Sequence, residues 1–126
     1  MAAETPSAQP ATPDFAKVYS EFAAGLDFED LSPETVAAIR LNLFDTLACS
    51  IAGATAVGIP ELRDIVAEWG GKPEAAVLWS DLRVPAAQAA WVNGSMCHAR
   101  DYDDTHDRAI LHAGVSVVPA AFAAAE

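Results

Sequence analysis

The chain is poor in positive charge. Seven Lys and Arg stand against eighteen Asp and Glu, a formal net charge of −11 over 126 residues. A surface of that sign repels phosphate backbones and anionic headgroups, which argues against nucleic-acid binding and a membrane-surface role. It also opposes long-range capture of an anionic metabolite, so a carboxylate ligand needs local cationic groups or basic residues from elsewhere in the protein. Cysteine is scarce as well, with Cys49 and Cys97 each set in an apolar helical stretch. That usage suits buried free thiols in a reducing compartment rather than a disulfide framework, and the expected location is cytoplasmic. No apolar run reaches the length that spans a bilayer. The opening MAAETPSAQPATP has no basic residue and no apolar core, so it reads as neither a secretory signal nor a transit peptide. Residues 1–11 read as a flexible tail. Gly-rich phosphate loops, a GxSxG elbow, basic-aromatic patches and internal repeats are all missing.

What remains is apolar and rich in Ala. Hydrophobic residues make up 52% of the chain, enough for one domain with a core, and Ala favours closely packed helices. The expected class is mainly α. Thr12-Pro13 reads as a hydroxyl cap with Pro at the first helical position. Phe15, Val18, Tyr19 and Phe22 then share a face, and Gly25 stops the helix. Ser32-Pro33-Glu34 repeats the start signal. Val36, Ile39, Leu43 and Leu47 continue at helical spacing to Gly53, and the stretch LFDTLACSIAG is expected to be buried all round. Gly58-Ile59-Pro60 opens a third helix with Leu62, Ile65, Val66 and Trp69 on its core side, closed by Gly70-Gly71. Residues 75–84 hold one short extended segment, either strand or connector. Pro85 starts a fourth helix expected to run through the acidic block to Asp104. A last helix begins after His112 and still runs at Glu126 without a stop signal, which suggests an incomplete domain over residues 12–126.

All three histidines fall between 98 and 112, interleaved with acids. On a helix, His98, Asp101 and Thr105 would lie within about 60° of one another, with Asp103 pointing away. His112 would rejoin them if the chain turned at Ala113-Gly114. An imidazole beside a carboxylate can exchange a proton near neutral pH, while a hydroxyl and backbone N–H groups bind a substrate carboxylate. Plainer readings stand beside this one. Asp103 and Asp107 read as solvated helix-end acids, and a lone His near a helix end usually caps or packs. Gly94 reads as a close helix contact, and Trp69, Trp79 and Trp91 as core or interface residues. A metal site on His98, Asp101, Asp104 and His106 is the rival chemistry, although the spacing matches no metal signature.

The stretch Ala90-Trp-Val-Asn-Gly-Ser-Met-Cys-His-Ala-Arg-Asp-Tyr-Asp-Asp-Thr-His106, followed by Leu111-His-Ala-Gly-Val-Ser-Val-Val-Pro-Ala120, resembles the hallmark of the MmgE/PrpD family. Arg40 to Gly53 is similar to an upstream helix of that family, with Ala48 where Gly is common. Ala113 departs from the family's usual Pro. The resemblance covers roughly residues 14–126. It implies the N-terminal part of an all-helical large domain, with a smaller α/β domain later in the chain. It also implies a homodimer, and chemistry without metal, Fe–S cluster or nucleotide. The activities it implies are 2-methylcitrate dehydration, cis-aconitate decarboxylation and iminodisuccinate epimerisation, on small di- or tricarboxylates. Asp101 and His112 match catalytic positions, Thr105 and His112 substrate-binding positions, and His98 and Asp104 supporting ones. The only lysines are Lys17 and Lys72, so the site is expected to be partial and the polypeptide inactive alone. The alternatives are a non-catalytic truncated helical module and a metal-dependent hydrolase.

Overall fold

The computed structural model describes residues 13–126. The expected tail at 1–11, and Thr12, lie outside the described residues. The described chain separates into two compact units, one up to Pro33 and one from Glu34 to Glu126.

In the first unit, helix α1 spans Phe15–Ala24. It starts two residues later than Thr12-Pro13 suggests, because Asp14 supplies the cap: its Oδ1 accepts the Lys17 N–H at 3.2 Å. Gly25 closes the helix, its N–H reaching the carbonyls of Glu21 and Phe22. Phe15, Val18, Tyr19 and Phe22 are each at least half exposed. A 3₁₀ turn follows at Phe28–Asp30, held where Asp30 accepts the Asp27 N–H.

The second unit carries α2 (Pro33–Gly53), α3 (Ile59–Trp69), strands β1 (Ala75–Ala76) and β2 (Arg83–Val84), α4 (Ala86–His98) and α5 (Gly114–Ala125). The fold is mainly α. The extended segment is an antiparallel hairpin, pairing Ala75 with Val84 and Ala76 with Arg83. Its turn places Trp79 at φ 59°, with the indole N–H donating to Ser50 Oγ at 2.8 Å. Asn93 of α4 is buried and fastens the hairpin to the helix: Oδ1 accepts the Leu78 N–H at 2.9 Å, and Nδ2 donates to the Ala76 carbonyl at 3.0 Å. Glu126 closes the other side, pairing with Arg83 at 2.9 Å and accepting the Ala76 N–H.

The core lies where α3, the hairpin, α4 and Ala123 of α5 meet, around Val66, Val77, Val84, Val92 and Met96. Gly94 sits at the α4–α5 crossing. A Cβ there would stand 2.9 Å from the Val115 carbonyl oxygen, so only glycine admits this approach.

Two expected burial patterns differ from the fold. Ile65 and Trp69 of α3 are exposed, and Trp69 stacks on Trp91 at 6.0 Å instead of entering the core. The C-terminal half of α2 buries one face only, through Thr46, Cys49, Ser50 and Gly53. Its bulky apolar side chains, Phe44 and Ile51, point outward at 72% and 57% exposure. By length and composition α2 could cross a membrane, with 21 residues and an 18-residue stretch of mean hydropathy 1.3, although it holds no uninterrupted apolar run of that length. Thr46 and Ser50 nevertheless face the interior of the second unit.

Candidate active site

The acidic block is not helical. α4 ends at His98, and Asp101 takes a left-handed backbone conformation at φ 55°, its N–H returning to the His98 carbonyl at 3.0 Å. Asp is among the few side chains that tolerate this region, because its short carboxylate bonds locally. The expected helical face of His98, Asp101 and Thr105 therefore does not form. The chain runs irregularly, with bends at Asp101 and Asp103, to His106, turns, and bridges back at Leu111. His106 N–H donates to the Leu111 carbonyl at 2.8 Å, and the His106 carbonyl accepts from Ala109 and Ile110. Ile110 at φ 51° completes the turn. This loop, rather than a turn at Ala113-Gly114, returns His112 to His98. Their rings meet edge to face, 4.9 Å between centroids.

Asp103 sits between them. It had read as a solvated acid pointing away, yet its carboxylate is fully buried. His98 Nδ1 lies 3.0 Å from Asp103 Oδ1 and 3.2 Å from Oδ2. His112 Nδ1 lies 2.8 Å from Asp103 Oδ2, close enough for ion pairing but out of line for a well-formed hydrogen bond. A carboxylate only accepts, so the His98 Nδ1 that bonds to it carries the proton, and the His98 Nε2 is left as a basic lone pair. Asp101 Oδ1 stands 3.8 Å from His112 Nε2, with its side chain 79% exposed. His98, Asp101, Asp103 and His112 thus place one donor atom each within 4.8 Å of the others. His98 also lines an open groove of about 330 Å³ with Trp91, Ser95 and Ser116.

Thr105 and His106 are exposed, and neither belongs to this set of four donor atoms. Asp104 faces the start of α5, where its Oδ1 lies beside Gly114. Asp103 is the residue that sequence reasoning missed. No local signal marks it, because the left-handed turn that redirects the chain falls on Asp101 rather than on a glycine. Below the site both thiols are protonated at neutral pH. Burial pushes Cys97 up to about 11, helped by Cys49 and Asp103. Burial, then the charges of Asp45, Asp103 and Asp104, raise Cys49.

The chain belongs to the MmgE/PrpD family, matching the MmgE/PrpD N-terminal domain over residues 18–126. Among curated proteins it is similar to the cis-aconitate decarboxylase-like protein oryM of Aspergillus oryzae (strain ATCC 42149 / RIB 40), 28% identical over 97 residues. That alignment covers 77% of this chain and 20% of the relative, so the chain spans about one fifth of the length of the curated relative it matches. No solved structure matches.

Proposed function

We propose that the chain supplies part of the active site of a cofactor-independent lyase or isomerase. Its substrate would be a small di- or tricarboxylate that gains or loses a proton at a carbon beside a carboxylate. The observation that carries this reading is the buried Asp103 carboxylate held between two imidazoles. With Asp103 Oδ2 2.8 Å from its Nδ1, the His112 ring favours the proton on that nitrogen, and Nε2 is poised to take or return another. Asp101, next to that Nε2, orients the reacting group. Thr105 is exposed and open to a ligand, and its hydroxyl would bind a substrate carboxylate. His98 shares Asp103 and steadies its charge. The chain carries only two lysines, and the remaining cationic groups that a tricarboxylate needs would come from polypeptide outside these 126 residues. Cis-aconitate and 2-methylcitrate are the first substrates to test, with iminodisuccinate as a third.

The decisive experiment compares this polypeptide with one extended to the length of its relative, against that panel. The expected result is turnover by the extended protein only, with kcat lowered about 10²–10⁴-fold in His112→Gln. Undiminished turnover in that variant on every substrate, or turnover by the 126 residues alone, would overturn the reading.

The four clustered donor atoms favour a second reading, a metal-dependent hydrolase, because two imidazoles and two carboxylates suit zinc and its neighbours. Both Nδ1 atoms turn onto Asp103 itself, which is the arrangement of a proton relay more than of ligands around a common ion. Stoichiometric zinc in elemental analysis, lost in His98→Gln, would establish it instead.

A further inference from the structure

A second polar cradle lies where α2 meets the first turn of α5, and the proton-transfer proposal makes no use of it. Thr46 is fully buried, and its Oγ1 has no hydrogen-bond partner among the described residues. In the preceding residue, Asp45, Oδ2 is shut off from solvent and also unpartnered. A Cβ at position 114 would stand 2.6 Å from Asp104 Oδ1, 2.9 Å from Thr46 Oγ1 and 3.2 Å from Asn42 Nδ2. Those three side-chain atoms therefore converge on the bare face of Gly114, an approach that only glycine permits. The volume adjoins a cleft of about 390 Å³ lined by Ala38, Leu41, Asn42, Asp45 and Asp104.

Buried polar atoms without partners are costly, and native structures satisfy them with water or an ion. Two carboxylates, Asp104 at the cradle and Asp45 beside it in the lining of the adjoining cleft, stand in a chain of net charge −11, which selects against an anion. They also outweigh the roughly half positive charge of the α5 N-terminus. The donors are all hard: two carboxylates, a hydroxyl, and an amide whose oxygen replaces its nitrogen after a half-turn. No imidazole or thiol takes part. Oxygen-only sets of this kind hold magnesium or calcium, with water from the open cleft completing the shell.

We propose that Asn42, Asp45, Thr46 and Asp104 form a binding site for a hard divalent cation of the magnesium–calcium class, closed on one side by Gly114. Bound there, the ion ties α2 to the loop that carries Asp101, Asp103 and His112, and so fixes the His112 return. Its role is structural.

Titration calorimetry of the 126-residue chain with calcium chloride, and separately with magnesium chloride, tests it. One of the two ions is expected to bind saturably at one site and to raise the thermal midpoint. Asp104→Asn should weaken binding at least about tenfold, and so should Thr46→Val, which keeps the shape of the side chain and removes only the oxygen. Thr46→Ser should retain binding, and Asn42→Ala is a second test should Thr46→Val fold poorly. His98→Gln should leave the affinity unchanged. The absence of saturable binding by either ion above about 1 mM, the weak end for oxygen sites, would overturn the proposal. So would binding that survives Asp104→Asn and Thr46→Val but is lost in His98→Gln, since the ion would then sit on the histidines.

Discussion

At the scale of single residues, Asp103 matters most. Its charge is buried and shared by two imidazoles, whereas Asp101 is mostly in water. Asp103→Leu should lower stability by about 1–3 kcal/mol, because the His98 ring N–H loses its acceptor and His112 its ion-pair partner, while Asp101→Leu should cost much less. Urea denaturation of the two variants checks the order; equal effects would mean that Asp103 is not the anchor of the loop. Cys97 gives a pH dependence. Its pKa rises on folding from 9.0 to about 11, so the folded state binds the thiol proton more tightly than the unfolded chain. The resulting stability is complete below pH 9.0 and is lost as pH climbs through about 11. Unfolding at about pH 8 and about pH 10.5 should show this loss in the wild type and a smaller one in Cys97→Ala.

At the scale of elements, α4 decides most of the second unit. Asn93 ties it to the hairpin and Gly94 lets α5 approach. Asn93→Ala should cost about 1–3 kcal/mol, because the Leu78 N–H and Ala76 carbonyl lose their partners. Loss of amide-exchange protection confined to residues 75–84 would locate the effect in the hairpin. Gly94→Val should cost a further amount of about 1–3 kcal/mol through overpacking against Val115, read as a fall in thermal midpoint. The caps show what short-range signals achieve. Pro33, Gly58-Pro60 and Gly25 mark ends that the structure keeps, since each acts on its own turn of backbone. The end of α4 was not marked that way. A left-handed residue usually announces itself as glycine, and here Asp101 takes the role.

At the scale of the whole molecule, the outward face of α2 stands out. Leu41, Phe44 and Ile51 lie on one side of the helix and are all exposed, an apolar patch of the kind that marks an interaction surface. The 126-residue chain should therefore self-associate at high concentration, and the pair Leu41→Lys and Phe44→Glu should suppress this in sedimentation velocity. A wild-type chain that stays monomeric would show that the face is tolerated as it is.

The mainly helical class, most helix starts, the extended piece near 75–84 and the neighbourhood of the histidines follow from sequence alone. Each rests on periodicity, on capping chemistry or on a local motif, and these act over a few residues. Tertiary structure decided which acid is buried between the histidines and which face of α2 is covered. It also decided that Thr46 and Asp104 meet at Gly114. These depend on contacts between segments far apart in the chain, where small changes of backbone direction reverse which side chain points inward. No local pattern encodes that choice, because burial is settled only when the partner surface is in place.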